Sequence, residues 1–103
     1  MQMWEYLHLD FGGYLPCPDN VFLWPIGVSN LEWLQTSFGV RVSVYAKKGY
    51  VLIDKLFGQA AEVSAALIRR LGLEGWEAVG YCYGEGHYRI LFKRPVVATE
   101  GGS

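Results

Sequence analysis

Two cysteines and two histidines, Cys17, Cys82, His8 and His87, make a ligand set of the kind that holds zinc. Their spacing argues against it. The chain has no Cys-x-x-Cys and no His-x-x-x-His, and the four residues fall on separate elements, so they read as ordinary strand and loop residues and no metal site is assigned. The same residues could supply a Cys–His nucleophile pair, but no local motif supports one. The glycine-rich stretch around Gly84-Glu85-Gly86 lacks the Gly-x-Gly-x-x-Gly order between strand and helix that cradles phosphates, and reads as a hairpin turn. Glu74, Glu77 and Glu85 have no facing acid or base and read as solvated charges. With no acid–base or nucleophile constellation, enzymatic activity ranks last among the possible functions, and no cofactor is implied.

The tyrosines and basic residues carry more. In the last strand Tyr88, Ile90 and Phe92 share one face, and Arg89, Leu91 and Lys93 the other. If Tyr88, Ile90 and Phe92 pack under a helix, Arg89 and Lys93 face outward. Tyr81 and Tyr83 also share a face, as do Arg41 and Tyr45. Tyr45, Tyr81, Tyr83 and Arg89 are therefore expected together on a helix-free side. Such a face can stack rings or bases. It can equally meet another sheet, because Tyr and Arg are enriched where proteins touch. Nine Lys and Arg against ten Asp and Glu leave a net charge of −1, which argues against nucleic acid and favours the protein contact. A small non-catalytic module that self-associates through this face is the first expectation. A binding domain for a small aromatic or nucleotide-like ligand is the alternative.

Composition points the same way. The 103 residues suit one domain, placed at residues 1–97 with a disordered tail at 98–103. Hydrophobic residues make up 51% and charged residues 18%, more apolar and less charged than a typical soluble domain. That excess is hard to hide in one small core, so part of it is expected on a surface that meets another molecule. No apolar run is long enough to span a bilayer, and the N-terminus lacks signal-peptide features, so a cytoplasmic location with reduced thiols is expected.

The elements that must position these residues follow from periodicity. Trp4 to Leu9 alternates as a strand with apolar groups on both faces, which suits a central position. Asp10 to Asn20 is rich in Gly, Pro, Asp and Asn and reads as a loop, followed by a short strand at Val21 to Trp24. Ser29 to Phe38 fits either a capped helix stopped at Gly39 or a strand; its β-like neighbours favour the strand. Val40 to Ala46 and Tyr50 to Asp54 form a hairpin about Lys47-Lys48-Gly49. Gln59 to Leu71 is a helix with Ala60, Val63, Leu67 and Leu71 on one stripe, and Gly72 suits its left-handed stop. Ala78 to Tyr83 and His87 to Arg94 form a last hairpin. The class is α+β: an antiparallel sheet of about five or six strands with one main helix on one face.

The run Gly72-Leu73-Glu74-Gly75-Trp76-Glu77-Ala78-Val79, then Tyr88 through Lys93-Arg94-Pro95, resembles the small bacterial family called domain of unknown function 4177. The opening Trp4-Glu5-Tyr6-Leu7 is similar to that family's first strand. Residues 10–57 depart from the family pattern as inserted strands. The resemblance implies a small α+β domain, with no reaction and no cofactor. Physically its signature is structural: Gly75 allows a backbone conformation that a side chain forbids, and Trp76 can then fill the gap between helix and sheet.

Overall fold

The computed structural model describes residues 2–14, 17–27, 29–84 and 87–96. They form β1 (Trp4–Tyr14), β2 (Cys17–Trp24), α1 (Glu32–Phe38), β3 (Arg41–Tyr45), β4 (Tyr50–Asp54), α2 (Ala60–Leu73), β5 (Glu77–Gly84) and β6 (His87–Pro95). The strands make one antiparallel sheet in the order β3-β4-β2-β1-β6-β5. The α+β class is as expected, and β1 is central. The expected tail at 98–103 and the turn residues Glu85 and Gly86 lie outside the described residues.

Register builds the core. Leu9 of β1 faces Leu23 on one side and Ile90 on the other; Phe11 faces Val21 and Tyr88; Leu7 faces Phe92. Val21 and Leu23 continue the layer to Ile53 and Val51 of β4. Residues directly opposite in a sheet point to the same face, so this is one apolar layer. Val63, Leu67 and Leu71 of α2 and Leu34 of α1 close over it, all without exposed surface. Each such side chain contributes about 1.5–3 kcal/mol by leaving water.

Two expectations about the first half of the chain are overturned. Residues 10–14 and 17–20 are strand, not loop. β1 and β2 run on as one long hairpin, with Gly12 opposite Asn20 and Tyr14 opposite Cys17. The irregularity that the glycines signalled is a register shift between Gly12 and Gly13, which the ladder absorbs. Residues 32–38 are helix, not strand. Asn30 Oδ1 accepts from the Glu32 N–H at 3.0 Å, and Gly39 ends the helix with φ of 72°. The helix is held by contacts distant in sequence: Gln59 Nε2 donates to the Phe38 carbonyl at 2.8 Å, tying the end of α1 to the start of α2.

The end of α2 shows why the glycine–tryptophan pair is there. Gly72 is the penultimate helical residue, and the left-handed position belongs to Gly75, with φ of 91°. Trp76 N–H donates to Leu71 O at 2.9 Å and Gly75 N–H to Gly72 O at 3.1 Å. These are the two bonds of a Schellman stop. They fold Trp76 back over the helix end, where it is 4% exposed. Arg94 then locks the junction. Its guanidinium lies 4.3 Å from the Trp76 ring centre, Nη1 donates to Glu74 O at 2.9 Å, and Nε donates to Glu5 Oε2 at 2.7 Å. Gly75→Ala should destabilise the fold by about 1–2 kcal/mol, since the added methyl has open space and only the backbone conformation suffers. Trp76→Ala should cost about 3–5 kcal/mol. Urea unfolding of both variants checks the order.

Candidate functional site on the helix-free face

Trp4, Tyr6, His8 and Asp10 of β1 point away from the helices. His8 stands opposite Trp24 and Leu91, and Asp10 opposite Phe22 and Arg89. β4 and β3 add Tyr50 and Tyr45, which face each other. Rings run across this side in contact: Phe22 to Trp24 at 5.9 Å between centres, Phe22 to Tyr50 at 5.2 Å, Trp24 to Tyr50 at 5.3 Å and Tyr50 to Tyr45 at 5.2 Å. At the other end Lys93 Nζ sits 4.0 Å from the centre of the Trp4 ring. Tyr6 and Trp4 remain 51% and 40% exposed.

A charged cluster interrupts the rings. Asp10 is 3% exposed, the one buried charged side chain among the described residues. Arg89 donates to its Oδ2 from Nη2 at 2.9 Å and from Nε at 3.3 Å, and His87 Nδ1 lies 3.2 Å from Oδ1. A buried carboxylate is costly unless paired, so these partners explain how it is tolerated. Arg89 and His87 are themselves half exposed. Gly12 makes room for Phe22 and His87: a Cβ there would stand 3.3 Å from the Phe22 ring and 3.6 Å from the His87 ring.

Arg89 also borders two shallow clefts. One, of about 310 Å³, is lined by Tyr6, His8, Trp24 and Pro25 with Arg89; the other, of about 280 Å³, by Cys82, Tyr83, Gly84 and His87 with Arg89. A guanidinium fixed by a buried carboxylate, beside aromatic walls, is suited to holding an anion or a flat ring. The cleft at Cys82 brings that thiol near a histidine oriented by an acid, yet no hydrogen bond joins thiol and imidazole among the described residues. There too, no group of three or more His, Cys, Asp or Glu is placed to hold a metal ion. No helix among the described residues is long and apolar enough to cross a membrane.

Of the four residues expected together, Tyr45 and Arg89 lie on this face. Tyr81 and Tyr83 do not. They stand opposite Ile90 and Tyr88, on the helix side. The cause is the bulge between Ala78 and Gly80. With Ala78 opposite Phe92, an uninterrupted ladder would put Tyr81 beside Arg89; the extra residue exchanges the two faces of all that follows. Sequence reasoning missed Asp10, Phe22 and Tyr50. The signal for Asp10 was the alternation of Trp4, Tyr6 and His8, which continues to it across the supposed loop boundary.

No family model, curated protein or solved structure matches the chain. The resemblance of residues 4–7, 72–79 and 88–95 is carried by those residues alone. Glu5, Glu74, Trp76 and Arg94, drawn from its three separated parts, meet at one junction.

Two consequences of the charge arrangement can be measured. Removing Arg89 strands a buried carboxylate, whereas removing Asp10 frees a cation that water already reaches. Arg89→Ala should therefore cost about 3 kcal/mol and Asp10→Asn less than half of that, read from urea unfolding. At the β3–β4 end, the Arg41 guanidinium hydrogen-bonds Asp54 and holds its carboxyl below the usual carboxylate range. A depressed folded-state value stabilises the fold above the unfolded value, and that contribution disappears as pH falls through the folded one. The difference in Tm between the parent and Asp54→Asn should be largest at neutral pH and close in acid.

Proposed function

We propose that this chain is a small non-catalytic interaction module that self-associates by packing the helix-free face of its sheet on the same face of another copy. The connected rings running from Tyr45 to Trp24, continued by the exposed Tyr6 and Trp4, carry this reading. Monomers rarely leave so large an aromatic surface in water. Sheets that pack face to face interdigitate such side chains across about 10 Å. Arg89 and Tyr45 are of the types that anchor interfaces. A face carrying both signs of charge, on a chain of net charge −1, does not suit nucleic acid. Membership of the family resembled at the Gly75-Trp76 turn is part of the proposal and assigns no reaction.

The cleft beside Arg89 supports an alternative, in which a flat ligand bearing a carboxylate or phosphate lies between Tyr6 and Trp24 with its anion on the guanidinium. Light scattering separates the two. The parent should be an oligomer, and Tyr6→Glu should lower its mass while leaving the circular dichroism spectrum unchanged. A parent that is monomeric, but whose Tm rises with an anionic aromatic compound and not in Arg89→Ala, would favour the ligand.

A further inference from the structure

The two edges of the sheet are treated differently. An outer strand presents unpaired backbone groups, and proteins blunt it with brevity, charge, proline or a bulge. β3 is five residues long, carries Arg41 and leads into Lys47 and Lys48. β5 has eight residues, every one of them exposed. From Ala78 to Gly84 it contains no charge and no proline. Its bulge lies at Ala78/Gly80, so the ladder from Gly80 to Gly84 is regular. Beyond the helices, Tyr81 and Tyr83 are 74% and 62% exposed on the helix side, and Tyr81 stacks on Tyr88 at 5.6 Å between centres.

We propose that β5 pairs antiparallel with β5 of a second copy, joining the two sheets into one of twice the width, with Cys82 opposite Cys82 at the two-fold axis. The axis stands normal to the sheet and keeps both sets of helices on one side, so helix-side residues meet helix-side residues. The bulge-free stretch has Cys82 at its midpoint, and only pairing about that midpoint uses all of it. Each Tyr81 then lies opposite the other copy's Tyr83, giving two cross-strand aromatic pairs. No like charges meet. At roughly 150–250 Å² for each ring, the exposed parts of four tyrosines offer on the order of 500 Å². Strand backbone and Val79 bring the total towards the roughly 1,000 Å² that a specific interface needs.

This contact is separate from the helix-free face and stands without it. If both operate, each copy meets two others through different surfaces, and the assembly is larger than a dimer. The test uses Cys17→Ser protein, in which Cys82 is the remaining thiol. Mild copper–phenanthroline oxidation should give a disulfide-linked dimer, because opposed residues of paired strands fall within disulfide reach. Adding Tyr81→Lys and Tyr83→Lys should abolish the cross-link and halve the mass by light scattering. Tyr6→Glu should leave the cross-link intact, which separates failure of this contact from failure of the face. Hydrogen exchange needs no variant. The amides among Gly80 to Gly84 that point away from β6 should slow about tenfold or more between dilute and concentrated protein. Fast exchange at all concentrations, or an unchanged mass in the folded double-lysine variant, would overturn the proposal.

Discussion

Six strands about 4.8 Å apart set their outer axes about 24 Å from each other, while the two helices, each about 10 Å across, cover about 20 Å at most. The sheet is thus wider than its helical cover, and it is covered on one side. The consequences run through the molecule. The fully buried side chains come from β1, β2, β4 and the helices, where cover and sheet overlap. β5 falls outside the overlap and has no buried residue. The far side has no cover from the described helices, so rings that would otherwise complete another core layer pack against one another, Tyr50 edge-on to Phe22 and Trp24.

That limited cover must also be held in place. The end of α2 could lift from the sheet if the chain simply turned away. Gly75 turns it sharply, Trp76 fills the gap left under the helix end, and Arg94 joins ring, helix carbonyl and the Glu5 carboxylate of the central strand. Residues far apart in the chain, Glu5, Trp76 and Arg94, thus share one mechanical task.

Legibility followed the range of the interactions. α2 was readable because its apolar stripe recurs over fourteen residues, long enough for a period of 3.6 to declare itself. The β3–β4 hairpin was readable because strict alternation and a short turn are local. α1 spans seven residues, too few for the period to decide, and it is tied down by Gln59, which lies well beyond its end. The length of β1 was hidden by Gly12 and Gly13, whose usual meaning is a turn. The faces of Tyr81 and Tyr83 were unreadable for a different reason. A bulge leaves no trace in composition, yet it reverses every side chain beyond it. Half of the candidate interface thus depended on one uncounted residue, and the Asp10 cluster on a strand extending past its apparent end.

The buried Asp10 bears on selectivity as well as on stability. Rings alone adhere to any greasy surface. Arg89, half wet and fixed on a submerged acid, loses its remaining water whenever something lies over it. Asp10 takes only part of the Arg89 donors, so a visitor without an acceptor at that place leaves the remaining N–H groups dry and unmet, at a cost that offsets ring contacts. The face therefore sorts its visitors by what it turns away.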